Sequence, residues 1–276
     1  METNKIYLGK WEDQINRIDD DSVDLVLTSP PYNVRLGDNK LKKDKYKDYD
    51  DNLPYEDYLS WMTSLFTECN RVLKKGGRFI INIGDGQNGS VPTHVDFTYR
   101  LLKLDQFSKV YGNYNPFKMI TTIVWDKKQI GNSCSWGSFQ SPSCPSFPTP
   151  FEFLIVVGKG TKKHQGNGKS TVTKDNFMRN SRAMWEILPE TSMMRKYNHP
   201  AMFPEELAKR CIDQFTYVND IVFDPFTGAG TTCAVAKKMG RRYLGIEMSV
   251  EYYNTSIERL SQISEITESG VPKWIL

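Results

Sequence analysis

The sequence predicts an α/β fold built on a mostly parallel sheet, and three observations support this prediction. Short apolar runs rich in β-branched residues alternate along the chain with longer segments in which apolar residues recur at helical spacing. Two of these runs, at 23–27 and 221–224, stop abruptly at loops of proline, glycine and polar residues. In open α/β sheets ligands bind outside the carboxyl ends of the strands, so both loops are candidate functional sites.

The composition is typical of one globular domain, which we expect to span residues 1–276. The chain has 276 residues, 39% of them hydrophobic, which suffices for a sizeable core, and a net charge of +3 that permits contact with nucleic acid. None of the five cysteines forms a Cys-x-x-Cys pair and the three histidines are scattered, so no metal site is predicted, and reduced thiols in the cytoplasm are expected. The sequence predicts neither a secretory signal nor a membrane-spanning stretch.

The individual elements are predicted from periodicity and from end signals. A long helix at 54–73 carries apolar residues at helical spacing, and Lys74 to Gly77 is predicted to end it, because cations followed by glycine are typical of helix C-termini. The strands at 118–125 and 151–157 are candidates for an antiparallel pair. The remaining predicted strands are 6–9, 23–27, 78–83, 221–224 and 242–247, and the remaining predicted helices are 11–18, one within 94–111, 205–215, one beginning after Gly230, and 251–261.

The first candidate loop is Ser29-Pro30-Pro31-Tyr32, at the end of the strand 23–27. The two prolines fix successive φ angles and remove two N–H donors, which leaves nearby carbonyl oxygens free to accept hydrogen bonds from a ligand. Ser29 adds a hydroxyl acceptor and Tyr32 adds a flat aromatic face, a combination that suits a planar base with an exocyclic amino group. Taken alone, the same residues also fit a strand followed by a proline turn in which Tyr32 only packs.

The second candidate loop follows the strand 221–224 and contains Gly228 and Gly230 immediately before a helix. Glycines there allow a tight turn and a close approach of backbone to a ligand. The next strand ends on Glu247, 23 positions after Asp224, near the ~20-residue spacing expected for an acid that binds ribose hydroxyls. We therefore predict an adenosine-containing cofactor. A phosphate-binding loop is less well supported, because no Gly-Lys-Ser/Thr follows.

Together, the two motifs resemble those of beta-class amino DNA methyltransferases that use S-adenosylmethionine. The resemblance rests on Leu27-Thr28-Ser29-Pro30-Pro31-Tyr32 and Asp224-Pro225-Phe226-Thr227-Gly228-Ala229-Gly230-Thr231-Thr232, and it extends from Ile6 to about Leu260. A Ser before the two prolines resembles the N4-cytosine branch of the restriction-modification type, because the N6-adenine branch usually has Asp or Asn there. One departure is Lys10, where the family commonly has Asp.

This resemblance implies a Rossmann-like methyltransferase fold with a mostly parallel seven-stranded sheet in circularly permuted order, the catalytic motif preceding the cofactor motif. It also implies methyl transfer from S-adenosylmethionine to the exocyclic N4 of cytosine in double-stranded DNA, with base flipping. The residues expected to act in catalysis are Ser29, Pro30, Pro31 and Tyr32. The residues expected to bind the cofactor are Phe223, Asp224, Pro225, Phe226, Thr227, Gly228, Gly230, Thr231, Thr232, Glu247, His199 and Pro200, although His199 equally fits a packing role at a helix entry.

A target-recognition segment is expected at about 129–198, where this family carries it, and within it 159–196 is the most basic stretch of the chain and lacks periodicity. Within it, the loop 131–150 is rich in hydroxyls and aromatic rings, which suit bases and sugars. The charged stretch 34–52 is expected to order over a substrate, with a merely solvated loop as the alternative. The residues expected to bind DNA are Arg35, Trp136, Ser138, Lys162, Lys163 and Lys169.

The expected partners are double-stranded DNA and a cognate restriction endonuclease that acts on the same site, and the chain is expected to be a monomer or a homodimer. The nearest alternative is an N6-adenine DNA methyltransferase of the same fold. Further alternatives are an RNA or small-molecule methyltransferase and a nucleic-acid-binding module without catalysis. A carbon-5 cytosine methylase is disfavoured, because no cysteine nucleophile follows the two prolines.

Overall fold

The computed structural model describes residues 1–33, 53–86, 89–110, 114–128, 138, 140–145, 147, 149–190, 197 and 202–263. Within them, strands and helices alternate along the chain. The strands are β1 (Lys5–Leu8), β2 (Val23–Thr28), β3 (Leu73–Ile83), β4 (Phe117–Asp126), β5 (Phe151–Lys159), β6 (Met184–Glu186), β7 (Ile221–Asp224) and β8 (Arg242–Glu247). The helices are α1 (Trp11–Gln14, followed by a 3-10 turn at Ile15–Arg17), α2 (Tyr55–Val72), α3 (Thr93–Leu102), α4 (Leu104–Phe107), α5 (Lys174–Asn180), α6 (Glu205–Phe215), α7 (Thr231–Lys238) and α8 (Val250–Ser261).

These strands join one sheet in the order β1-β8-β7-β2-β3-β5-β4-β6. Five of the seven neighbouring pairs are parallel, whereas β5 runs antiparallel to both β3 and β4. The predicted Rossmann-like, mostly parallel architecture is confirmed, and so is the antiparallel pair of β4 and β5. The sheet has eight strands rather than the predicted seven. The extra strand is β6, three residues that pair with the end of β4 in a segment without strand periodicity.

The first motif is delivered by β2, which lies inside the sheet between β7 and β3 and is buried along its whole length. The carboxyl ends of the parallel strands β2, β3, β7 and β8 meet at one edge of the sheet, which we call the motif edge. The residues that end these strands are Thr28, Ile83, Asp224 and Glu247. Because β5 is antiparallel to β3, it begins at the motif edge with Phe151 and ends at the opposite edge with Lys159. The loops of both sequence motifs therefore lie at the motif edge.

Helices cover both faces of the sheet and bury two apolar layers. One layer packs α1 to α4 against one face, around Tyr58 and Phe66, which are fully buried. The other packs α6 and α7 against the opposite face, around Ile212 and Ala234. Full burial of a large apolar side chain contributes roughly 1.5–3 kcal/mol to the stability of the fold. Because both faces of the sheet are packed in this way, the position of β2 is fixed. None of the helices described is both long and apolar enough to cross a bilayer.

One predicted boundary is wrong. The helix expected to end at Lys74 to Gly77 ends at Val72, and β3 begins immediately afterwards. The Lys74 ammonium instead binds both carboxylate oxygens of Asp24, at 2.7 and 2.8 Å. Gly76 adopts a φ of +80° where the register between β2 and β3 shifts. The cation and the glycine therefore serve a bulge at the start of a strand, not the end of a helix.

Candidate active site

The loop after β2 is anchored at both of its ends. From α2, the Tyr58 hydroxyl donates a 2.7 Å hydrogen bond to the carbonyl oxygen of Pro31. Asn33 adopts a left-handed φ of +56°, donates from its side chain to the carbonyl of Leu53 at 2.9 Å, and accepts from the N–H of Leu53 at 2.8 Å. The loop therefore presents its side chains in a fixed geometry, as a catalytic loop must.

The Tyr32 hydroxyl lies at the centre of a hydrogen-bond network that ties this loop to β3 and β5. It donates to Oε2 of Glu152 at 2.9 Å and accepts from Nδ2 of Asn82 at 2.7 Å. Asn82 also donates to the same carboxylate oxygen at 2.7 Å, and the Lys127 ammonium donates to Oε1 of Glu152. Ser29 Oγ lies 3.1 Å from the Tyr32 oxygen. Burial and the Glu152 charge raise the pKa of Tyr32 well above its usual range, so the hydroxyl keeps its proton.

The direction of the hydrogen bond between Ser29 and Tyr32 follows from the available protons. A tyrosine hydroxyl has one proton, and that of Tyr32 is used on Glu152. Ser29 must therefore donate to the Tyr32 oxygen, which leaves both lone pairs of the Ser29 oxygen available as acceptors. Ser29 is half-buried, so part of the residue is accessible at the motif edge. A group with N–H donors, such as an exocyclic amine, fits this oxygen.

Asp224 joins the two motifs beneath their loops. Its Oδ1 accepts from Thr28 Oγ1 and its Oδ2 accepts from Thr232 Oγ1, both at 2.7 Å. The N–H of Phe226 also donates to Oδ1, at 3.0 Å. Asp224 is 2% exposed, and this burial raises its pKa to about 6 although the three hydrogen bonds oppose the rise. Asp224 thus stabilises the loop that follows β7. It also holds Thr28, the residue before Ser29, next to that loop.

The raised pKa of Asp224 predicts a pH-dependent stability difference between the protein and its Asp224→Asn variant. Because the ordinary pKa of an aspartate is 3.8 and that of Asp224 in the folded protein is about 6, folding favours the protonated form. The stability that this group contributes is complete below pH 3.8 and is lost as the pH rises through about 6. The loss amounts to about 3 kcal/mol, since one pKa unit corresponds to about 1.4 kcal/mol.

Urea unfolding of both proteins at several pH values measures this difference. The free energy of unfolding of Asp224→Asn, relative to the unmodified protein, should rise across the window from pH 3.8 to about 6. A difference that stays constant with pH would show that folding does not raise the pKa of Asp224.

Glu247 lies at the end of β8, beside the loop of the second motif. Its Oε2 accepts from the N–H of Gly228 at 2.7 Å, and its Oε1 accepts from the N–H of Ser249 at 2.8 Å. Burial raises the pKa of Glu247, and these two hydrogen bonds oppose the rise. Each carboxylate oxygen keeps a lone pair for a further donor. Gly245 allows the loop to approach β8 closely, because a Cβ there would lie 2.3 Å from Oγ1 of Thr227.

The other residues of the second motif form a tight turn that opens α7. Gly228 and Gly230 adopt positive φ angles of +53° and +81°, which L side chains rarely adopt. Phe226 is half-buried, and its ring lies 5.7 Å from that of Trp61 in α2. Besides Asp224, the buried members of the motif are Phe223, Pro225, Thr227, Ala229, Gly230, Thr231 and Thr232. The loop is therefore rigid, with backbone and the Glu247 carboxylate as its polar groups.

Comparison with known proteins places these two motifs in one family. Residues 23–258 match the N6/N4 family described as DNA methylase. The chain belongs to the N6/N4 DNA methylase family. Type II methyltransferase M.BglII of Bacillus subtilis is 32% identical over 270 residues, which cover 94% of this methylase and 69% of the relative. DNA adenine methyltransferase YhdJ of Escherichia coli (strain K12) is 26% identical over 295 residues, which cover 99% of this chain and 87% of the relative.

Two solved structures resemble this methylase over nearly its whole length. TTHA0409 of Thermus thermophilus, solved in complex with S-adenosyl-L-methionine, has 27% identity and a TM-score of 0.69, covering 98% of this chain and 95% of its own. PvuII DNA methyltransferase (cytosine-N4-specific) has 22% identity and a TM-score of 0.68, covering 96% and 89%, and shows the fold alone. The chain is thus a site-specific DNA methyltransferase of the N6/N4 family, and its relatives include an adenine enzyme.

The structure does not bring the three predicted DNA-binding lysines of this methylase together with the catalytic loop. Lys162, Lys163 and Lys169 are exposed, as phosphate contacts would require. However, the carbonyl of Lys162 accepts a hydrogen bond from Arg78, and that of Lys169 accepts one from the N–H of Val218. Both partners lie toward the amino-terminal ends of the parallel strands. The lysines therefore lie at the edge opposite the motif edge.

Ser138 is the other predicted DNA-binding residue whose surroundings are described. It lies in a turn in which its Oγ accepts from the N–H of Cys144 at 2.7 Å. Arg35, Trp136, His199 and Pro200 lie outside the described residues.

One cluster of three potential metal ligands occurs in the described part of the methylase, formed by Asp24, His164 and Asp220 at the opposite edge. The Lys74 ammonium already binds the Asp24 carboxylate, and His164 Nδ1 accepts the N–H of Gly166 at 2.8 Å. Nε2 of the same ring lies 3.1 Å from Oδ2 of Asp220, which also accepts from the N–H of Tyr217. Because these contacts already engage all three side chains, the cluster does not favour a metal ion.

The sequence interpretation missed Asn82, Glu152 and Lys127, which complete the site around Tyr32. The available signal was a polar side chain in an otherwise apolar strand end: Asn82 in the run 79–83, and Glu152 between two phenylalanines. Such residues are buried only when they are hydrogen-bonded, so they indicate a partner elsewhere in the fold. Their partner could not be named, because the antiparallel register of β5 was needed to identify it.

Proposed function

We propose that this methylase transfers the methyl group of S-adenosylmethionine to the exocyclic N4 of cytosine in double-stranded DNA. S-adenosylmethionine is its cofactor, and the second motif fits it. Glu247 keeps carboxylate lone pairs for ribose hydroxyls, beside a loop whose glycines allow close approach. When bound, the cofactor supplies an activated methyl group, so alignment of the amine nitrogen provides most of the rate.

The residues of the first motif prepare the nucleophile. The lone pair of an aromatic amine is delocalised into the ring, and acceptors on its hydrogens localise that lone pair on the nitrogen. Ser29 supplies an oxygen with two available lone pairs, and we assign the carbonyl of Pro30 as the second acceptor. The base must leave the duplex to reach them. We propose that it stacks on the Tyr32 ring, which the hydroxyl network holds in place.

The proposal of cytosine as the target base rests on Ser29, whose hydroxyl proton is directed to Tyr32. The N6-adenine enzymes that the motif resembles usually have Asp or Asn at this position. A specific observation favours the alternative, an N6-adenine methyltransferase, because the adenine enzyme YhdJ is 26% identical over nearly the whole chain. The identity of the methylated base distinguishes the two.

We propose that the target-recognition segment at about 129–198 belongs to one catalytic domain, 1–276, and contacts DNA where it lies at the motif edge. There β6 pairs with the end of β4, and the N–H of Ile187 donates to the carbonyl of Asp126. Trp136 and Ser138 of this segment, and Arg35 of the charged stretch, remain proposed DNA contacts. Bases are read by such side chains, whereas phosphate contacts only position the protein.

The three lysines at the opposite edge allow a test of this arrangement. Replacing Lys162, Lys163 and Lys169 by glutamine should leave the salt dependence of DNA binding unchanged, because β2 alone separates the two edges by roughly 20 Å. If the lysines did bind phosphates, removing each such ion pair would lower the logarithmic salt slope by roughly 0.9. DNA affinity measured at several salt concentrations decides the matter. A flatter slope would support the sequence-based assignment and would place the duplex across both edges.

Nucleoside analysis by mass spectrometry tests the proposed reaction. DNA incubated with the enzyme and isotopically labelled cofactor should yield labelled N4-methylcytosine. Labelled N6-methyladenine would overturn the choice of base, and no label across DNA of varied sequence would overturn the reaction. We also propose a cognate restriction endonuclease as a partner. DNA methylated at the site found by modified-base sequencing should then resist that endonuclease.

A further inference from the structure

We propose that Glu152 is the terminal proton acceptor of methyl transfer, reached from the substrate amine through Ser29 and Tyr32. The proposal rests on the proposed function, because it needs an exocyclic amine bound at Ser29. Three oxygens form the chain: Ser29 Oγ lies 3.1 Å from Tyr32 Oη, which lies 2.9 Å from Glu152 Oε2. Both separations are within reach of proton transfer along a hydrogen bond.

The chain has a direction before any substrate binds. Asn82 donates from Nδ2 to the Tyr32 oxygen and to Glu152 Oε2, each at 2.7 Å, so it holds both atoms as acceptors on that side. The Tyr32 proton therefore points to Glu152, and the Ser29 proton points to Tyr32. Every proton in the chain is already placed to move away from Ser29 and toward Glu152.

The protons and charges balance along this chain. When the amine nitrogen gains a methyl group, it carries a positive charge and one proton too many. That proton moves to the Ser29 oxygen while the Ser29 proton moves to Tyr32 and the Tyr32 proton moves to Glu152. The electron pair of the broken N–H bond returns to nitrogen, and the methylated amine becomes neutral. Ser29 and Tyr32 end as hydroxyls, and Glu152 ends as a carboxylic acid.

Glu152 is suited to end the chain because it reaches solvent. Its side chain is 13% exposed and that of Lys127 is 27% exposed, whereas Asn82 behind them is buried. The Lys127 ammonium binds the second carboxylate oxygen and leaves Oε2 facing Tyr32. Because the pKa of Tyr32 is raised well above its usual range, a tyrosinate does not accumulate, and the transfers through Tyr32 occur together.

Tyr32→Phe and Glu152→Gln test the chain, because each keeps the shape of its side chain. Phe keeps the stacking ring and removes only the hydroxyl, while Gln keeps the length and cannot take up a proton. We expect the single-turnover rate to fall about 30-fold in each variant, less than for a base in direct contact because water can accept the proton instead. The double variant should be no slower than the slower single variant, since both changes break one chain. The solvent deuterium isotope effect should decrease in all three.

Glu2→Gln is the matched control, because Glu2 is an exposed carboxylate that pairs with Lys5 at 2.7 Å, and Lys5 begins β1 at the edge opposite the motif edge. It should have the unmodified rate. Cofactor affinity, DNA affinity and the fluorescence of 2-aminopurine at the target position should be unchanged in every variant, which separates proton transfer from folding and base flipping. Formate should restore part of the rate of Glu152→Ala but not of Glu152→Gln, whose amide fills the space.

A Tyr32→Phe variant as fast as the unmodified enzyme, or additive effects in the double variant, would overturn the proton chain. These results differ from a failure of the proposed function. An unmodified enzyme that methylates adenine would correct the target base and leave the chain intact, since adenine also presents an exocyclic amine. An unmodified enzyme that methylates no base would overturn both proposals.

Discussion

Replacing Ser29 by alanine is expected to lower the single-turnover rate of methyl transfer by about 1000-fold. The variant loses the hydroxyl oxygen that we assign to the amine hydrogens, and it also loses the first link of the chain to Glu152. Cofactor affinity should stay unchanged, because Ser29 follows β2 whereas the cofactor loop follows β7. Rapid-quench turnover with labelled cofactor and calorimetric titration of the cofactor measure the two quantities separately.

Ser60→Ala is the control for this prediction, because Ser60 is exposed on the surface of α2. Ser60→Ala also removes a serine hydroxyl, and it should leave the single-turnover rate unchanged. If Ser29→Ala instead lost rate and cofactor affinity in equal proportion, the loop would support the cofactor rather than the amine.

The fold was largely predictable because its strands and helices carry strong local signals. The strand at 242–247 and the helix at 205–215 have the predicted bounds, since periodicity and end residues agree there. The strand β6 was not predicted, because three residues cannot show a period and pair only through the neighbouring end of β4. The start of β3 was misjudged because Lys74 and Gly76 are typical of a helix end, while Asp24, the partner of Lys74, is 50 positions away in sequence.

The candidate site was predictable in its two motifs but not in the contacts between them. The position of both loops at the motif edge was predictable, because each loop follows the carboxyl end of a parallel strand and these ends meet at one edge of the sheet. The bond from Thr28 to Asp224 spans 196 positions, and that from Tyr32 to Glu152 spans 120, so no local pattern reveals either. For Lys162, Lys163 and Lys169 the sequence indicated the chemistry but not the position. Their charge was visible in the sequence, but the antiparallel direction of β5 carries them to the far edge.

Glu247→Ala is expected to weaken cofactor binding while leaving the chemistry at Ser29 intact. A hydrogen bond to a charged group contributes about 1.5–3 kcal/mol, so removing one bond to a ribose hydroxyl should raise the Kd at least about 10-fold, and up to about 150-fold. Part of the loss also comes from the loop, because Glu247 accepts the N–H groups of Gly228 and Ser249. Calorimetric titration of the folded variant measures the total change, and single-turnover rates at saturating cofactor should remain near those of the unmodified enzyme.

A cofactor analogue that lacks the ribose hydroxyls separates direct contact from loop support. If the Glu247 carboxylate binds those hydroxyls, the unmodified enzyme should lose affinity for the analogue, whereas Glu247→Ala should bind analogue and cofactor equally well. Glu251→Ala, an exposed carboxylate in the first turn of α8, is the matched control and should discriminate as the unmodified enzyme does. Should Glu247→Ala discriminate to the same extent, Glu247 would act only by holding the Gly228 turn, and the ribose would have to be bound by other groups.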